Sequence, residues 1–175
     1  YGYASSYSRH TVHYNRDERD AQTNFELPTV PDDEIASVRL GNWRSGTECE
    51  RIEYTLHIDA EVNPVLVLKY AVVMENPDGH GTYEQPRFTL HILKNGKSVE
   101  NHCVEADFTA DGVDTTADKS WHRWNPHTSA ASADIVWKEW TTVGVDLSEY
   151  DGEDLVVQLT SYDCSQSGHF GYVYF

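Results

Sequence analysis

Apolar and polar side chains alternate repeatedly along this chain, and nowhere does helical spacing persist for as much as three turns. Residues 53–59 show it most clearly. Tyr54, Leu56 and Ile58 fall on one side, and Glu53, Thr55, His57 and Asp59 on the other. Period two is the mark of a strand with one buried face. Residues 37–40, 88–93, 143–147 and 155–159 repeat it, while residues 65–74 are nearly all apolar. A nearly all-apolar run of that length predicts a central strand covered on both faces. Turn chemistry separates the runs: Asn63-Pro64, Asn76-Pro77-Asp78-Gly79, Asn95-Gly96 and Asp151-Gly152. Asn95-Gly96 predicts a tight hairpin, with residues 97–108 as its return strand. About eight strands at hairpin spacing predict an all-β fold, an antiparallel β-sandwich with one long loop.

The composition agrees with the pattern. Eleven Tyr, five Trp and five Phe stand against a single Met, and aromatic and β-branched residues suit a pleated, half-buried surface. Acidic residues number 29 and basic residues 13, a formal net charge of −16. That balance disfavours nucleic-acid partners, whose phosphates call for Lys and Arg, and an electrostatic hold on a membrane. It attracts cations, calcium among them. No apolar run reaches the roughly 20 residues of a membrane span, so direct membrane insertion is not expected.

Residues 1–36 are polar and irregular, with Pro28 and Pro31. They are expected to form an extended N-terminal segment, partly packed on the sandwich, with a short strand near Thr11. Residues 37–175 are expected to be the sandwich domain. The sequence begins at Tyr1 and ends inside a strand pattern at Phe175, which suggests one domain of a larger chain. Residues 109–134 form a long break rich in Asp, Thr, Ala and Ser, the kind of loop that is functional or mobile.

Three cysteines leave an odd one. Cys103 and Cys164 each close a strand-like run, so a Cys103–Cys164 disulfide with Cys49 free is expected for a secreted protein; three reduced thiols are the alternative. No Cys-x-x-Cys or finger spacing occurs, so the spacing predicts no zinc site. Among nine histidines, His10 with His13, or His80 with His169, can meet only through the fold.

The segment Trp140-Thr-Thr-Val-Gly-Val-Asp-Leu-Ser-Glu-Tyr-Asp-Gly152 and the strand that follows resemble galactose-binding-like jelly-roll domains. The wider set is Ser37-Val-Arg-Leu-Gly-Asn42, Glu50-x-Ile-x-Tyr54, Tyr70-Ala-Val-Val73, Gln85-Pro-Arg-Phe88, Asp163-Cys164 and Gly168-His-Phe-Gly-Tyr-x-Tyr174. Together these resemble a domain of large secreted surface proteins of Bacteroidetes, with adhesin-like or gliding-motility architecture. The resemblance spans residues 37–175; Cys49 and the segment from Trp121 to His127 depart from its pattern. It implies a jelly-roll sandwich and an extracellular or cell-surface address. It names no defined ligand, and function does not follow from fold.

Trp121-His122-Arg123-Trp124 is the most suggestive cluster. Two indoles in a polar loop can stack on sugar rings, with Arg123, His122 and His127 bonding hydroxyls. The plainer reading is that the indoles fold back and pin the loop. For calcium, which jelly-roll domains often hold, the candidate ligands are Glu50, Asp146 and Asp163, with Asp17, Glu18 and Asp20 a second set. No nucleophile elbow, P-loop or His-Glu-x-x-His motif occurs. Paired carboxylates of the glycosidase kind stay open, because their separation in space decides. The sequence is therefore read as a non-catalytic extracellular binding module. Its expected partner is a glycan; the alternative is a structural or adhesive spacer that contacts another surface protein.

Overall fold

The computed structural model describes residues 7–99, 106–126 and 133–175. Among the described residues eleven strands run in chain order: β1 (His10–His13), β2 (Ser37–Gly41), β3 (Cys49–His57), β4 (Val65–Asn76), β5 (Arg87–Lys94), β6 (Lys97–Ser98), β7 (Ala106–Thr109), β8 (Trp121–Trp124), β9 (Asp134–Asp146), β10 (Asp154–Tyr162) and β11 (Gly171–Tyr174). Among the described residues the only helical pieces are 3-10 turns of three residues.

The strands form two antiparallel sheets. One has the order β1-β2-β11-β4-β9-β8; the other has β3-β10-β5-β6, with β7 also on β5. Taking β2, β3, β4, β5, β7, β9, β10 and β11 in turn, the chain crosses between sheets everywhere except at the β5–β7 pairing. It leaves β2-β11-β4-β9 facing β3-β10-β5-β7, the two interlocked Greek keys of a jelly roll. The expected β-sandwich is present.

Alternation decides what each sheet buries. In β4, Tyr70, Val72 and Met74 point into the space between the sheets, and Ala71 and Val73 point to the outer face. Both sets are buried, so the expected cover on both faces is present over residues 70–74, whereas Val65 and Val67 at the start of the strand are exposed. A register shift between β4 and β9 falls beside Tyr70 and Val72. The extra residue in β9 changes its phase. Val136 and Val145 thus both reach the inner core, while Trp137 and Trp140 both face outward.

The outer face of the six-stranded sheet carries a second core of Leu27, Ala71, Val73, Ile135, Trp137, Phe170, Tyr172 and Tyr174. The N-terminal segment lies over it. β1 pairs with β2, Leu27 and Val30 are buried, and the Trp140 indole N–H donates to the Pro28 carbonyl at 2.7 Å. Asp20 is the central tie. Its carboxylate accepts from the Tyr172 and Tyr174 hydroxyls and from the Gln22 amide at 2.7–3.0 Å. Beside it, Arg39 is fully buried over the Trp43 ring, 4.4 Å from its centroid.

Three expectations change. The break at 109–134 contains β8, an edge strand paired residue by residue with β9. Four residues are too few for a period to stand out, and the partner strand rather than the local sequence defines it. The expected return strand after Asn95-Gly96 begins as the two-residue β6, whose turn has positive φ at both Asn95 and Gly96. Residues 100–105, Cys103 among them, lie outside the described residues. Cys164 is a free thiol, and so is Cys49. The Cys103–Cys164 disulfide therefore finds no support.

Candidate functional site

The strand in which Trp121 and Trp124 lie separates their roles. Residues three apart on a strand point to opposite faces. Trp121 is 6% exposed in the inner core, edge-on to Phe108 at 5.3 Å with the Lys138 ammonium 5.2 Å from its centroid. Trp124 packs half-buried on the outer face. The two indoles cannot form one platform. His122 stacks on Trp137 at 4.1 Å and meets Glu139 through Nε2 at 2.7 Å. Arg123 is exposed and donates to Asp134 at 3.1 Å. His127 lies outside the described residues.

The calcium candidates separate as well. Asp146 ends β9 opposite Val65, at the far end of the sandwich, and accepts from the Ser148 amide at 2.9 Å. Those hydrogen bonds from Ser148 hold its carboxyl below the usual range. Glu50 and Asp163 do lie together. Asp163 accepts from the Gly171 amide at 3.0 Å and the Glu48 amide at 3.2 Å. Burial pushes its carboxyl up to about 7, against the pull of those two amides, with the Glu50 and Glu48 charges adding to the rise. Glu50 is buried too, its pKa raised by desolvation. Its Oε1 has only a long ion pair to Arg9, at 3.7 Å, and no hydrogen bond among the described residues. The three expected ligands therefore do not converge: Glu50 and Asp163 are neighbours, with the Glu48 charge near them, but among the described residues these carboxylates do not gather closely enough to hold one ion. In the second set, Asp20 is engaged by the two tyrosines and Glu18 by His13.

Glu50 and Asp163 belong to one end of the sandwich, where residues 42–48, 77–86 and 163–170 meet. Two glycines draw these loops together. Gly41 has φ +92°, and a Cβ there would sit 2.8 Å from the Gly171 carbonyl oxygen. A Cβ on Gly171 would sit 2.6 Å from the Tyr162 carbonyl oxygen. Side chains at either point would hold β11 away from β2 and β10. Across the closed end, Asp163 N–H donates to Glu48 O at 2.9 Å and Ser165 N–H to Glu84 O at 3.1 Å. The Glu84 carboxylate turns back to the Gly81 amide at 2.8 Å, which fixes the 3-10 turn Thr82–Glu84.

Between these loops lies a groove of about 400 Å³, lined by Thr47, Glu48, Cys49, Tyr83, Gln85, Arg87, Tyr162, Asp163, Cys164 and Ser165. Tyr83 stands at its rim 95% exposed. Arg87 is held by a two-point pair to Asp107, with Nε 2.6 Å from Oδ1. The groove thus offers one solvent-facing ring, a second tyrosine, an oriented guanidinium, a carboxyl and hydroxyls. No spacing in the sequence announced it, because its lining comes from three loops and the ends of three strands. The one local hint is Tyr83 in a polar stretch.

A second cluster adjoins the groove. Cys164 Sγ lies 3.3 Å from His169 Nδ1, and the His80 and His169 rings meet edge-on with centroids 5.0 Å apart. Burial, and then the nearness of His80, hold the His169 imidazole below its usual pKa.

No family model and no curated protein matches the chain. A solved structure described as TmCBM61 in complex with beta-1,4-galactotriose is similar to it at a TM-score of 0.39 and 8% sequence identity, covering 95% of this chain and 80% of that one.

Proposed function

We propose that the protein is a non-catalytic carbohydrate-binding module whose glycan lies in the loop-end groove. The observation that carries this reading is Tyr83. A ring 95% exposed at the rim of a polar groove has no packing role to explain it. Aromatic faces stack on the C–H faces of sugars, and Arg87, Gln85 and Asp163 supply donors and acceptors for hydroxyls. The site moves from the β8 tryptophans, where the sequence pointed, to the other loops. The setting we propose is the outside of a bacterial cell within a larger surface protein, which rests on the resemblance of residues 37–175.

The test is a glycan array with wild type, Tyr83→Ala and Trp124→Ala. Binding to one glycan class is expected, abolished by Tyr83→Ala with unchanged thermal stability and kept by Trp124→Ala. Binding lost only in Trp124→Ala would place the site on the outer face instead. Silence across a broad array would overturn the reading.

One observation favours the adhesive alternative. Among the described residues β3 pairs only with β10, so its nine residues offer a free edge, with Ile52 and Tyr54 exposed along it. Such an edge can take a strand from another protein.

A further inference from the structure

The cluster beside the groove has the chemistry of a metal site. One ligand atom from each of His80, Cys164 and His169 lies within 4.8 Å of the others. Cys164 is buried at the tip of β10, and the turn Cys164–His169 wraps around its sulfur: the Gly168 N–H donates to Sγ at 3.2 Å. An amide N–H aimed at sulfur favours the thiolate, the form that binds metals. The Cys164 N–H donates in turn to the His169 carbonyl at 3.1 Å, which fixes the distance between the two ligands.

His80 supplies the independent observation. Its Nδ1 faces the Asp78 carbonyl at 3.5 Å, and its Nε2 is buried with no hydrogen-bond partner among the described residues. With the proton on Nδ1, Nε2 keeps a lone pair that neither water nor protein uses. Leaving such an atom unpaired is costly, and a bound cation would remove the cost.

The donor set decides the class of ion. Calcium and magnesium take oxygen ligands, whereas one thiolate with two imidazoles suits a thiophilic transition metal. Tetrahedral zinc, with bonds of about 2.0–2.3 Å, places its ligand atoms about 3.5 Å apart. Closing from 4.8 Å asks for a shift of about an ångström, which the loop Gly79-His80-Gly81 can supply. We propose that His80, Cys164 and His169 bind zinc, with the fourth position left to water. Bound there, the ion would tie the 77–86 loop to the 163–170 turn and so fix one wall of the groove. The proposal does not depend on what the groove binds.

The test uses reduced, chelator-treated protein titrated first with cobalt and then with zinc. One equivalent of cobalt is expected, with the sulfur-to-metal charge-transfer absorption of a thiolate ligand, displaced by zinc, and zinc should raise the thermal midpoint. Cys49→Ser should behave as wild type. Cys164→Ser should lose the charge-transfer band, and His80→Gln should weaken binding about tenfold or more. A missing band in wild type, or a band that survives Cys164→Ser, would overturn the site. So would a Cys103–Cys164 disulfide found by mass spectrometry in the natively purified chain. If Cys164→Ser does not fold, His80→Gln decides, because His80 lies in a half-exposed loop outside both sheets.

Discussion

The contact most open to a quantitative test is Asp20, which fastens the N-terminal segment to the outer face of the six-stranded sheet. Its carboxylate accepts two buried tyrosine hydroxyls and the amide of Gln22. Tyr174→Phe removes one of the two buried tyrosine hydrogen bonds to that carboxyl, about 1–3 kcal/mol. Asp20→Ala strands both hydroxyls, at about 1–3 kcal/mol each, and removes a cap, at about 1 kcal/mol. A loss of about 3–7 kcal/mol follows, a large share of the 5–15 kcal/mol typical of a domain. Urea unfolding followed by tryptophan fluorescence measures it. In the Asp20→Ala background, Tyr174→Phe should be neutral or stabilising, because the stranded hydroxyl disappears. Trypsin should also cut Asp20→Ala early at Arg16 and Arg19. A cost near zero for Asp20→Ala, or simple additivity of the two substitutions, would refute the account.

The same residue sets a sign for pH. Burial raises the Asp20 carboxyl above its ordinary value, more than the tyrosines and Arg39 lower it. The folded chain therefore holds that proton more tightly than the unfolded chain, and this group's contribution to stability falls as pH rises above about 4. In Asp20→Asn that share of the pH dependence should vanish, read as a smaller decline in the urea midpoint as pH rises from about 4 than in wild type.

Two further outcomes distinguish sites from scaffold. Trp121→Ala should cost about 3–5 kcal/mol in urea unfolding, because the indole fills the inner core, and Trp124→Ala clearly less; the reverse order would mean that the two faces of β8 are wrongly assigned. With the expected calcium ligands apart, millimolar calcium should leave the thermal midpoint of wild type unchanged; a rise that Glu50→Gln abolishes would restore a site at Glu50 and Asp163.

Strands were legible where one face is buried and the other wet, because period two then appears in the sequence itself. Leu155, Val157 and Leu159 of β10 are buried in the inner core, and Val156 and Gln158 between them are more exposed, as the alternation over residues 155–159 predicts. Legibility ended where a partner, not the local pattern, defines the structure. β8 is four residues long, and only its register with β9 shows that Trp121 and Trp124 look opposite ways. Read as a loop, the same four residues made a sugar platform; paired as a strand, they give a core residue and an outer-face residue.

The loop end was hidden for a different reason. Cys164 and His169 are five apart and flank a glycine, a spacing that carries no metal signature of its own. His80 comes from a loop more than eighty residues earlier. What joins them is the jelly-roll order, in which β11 lies between β2 and β4 and the β10–β11 turn falls beside the β4–β5 loop. The two glycines at 41 and 171 make that approach possible by leaving no side chain in the way. The chemistry of this end is thus a consequence of topology acting on residues that are individually unremarkable. That is why the exposed ring of Tyr83, the unpaired nitrogen of His80 and the buried sulfur of Cys164 become informative only once they are found together.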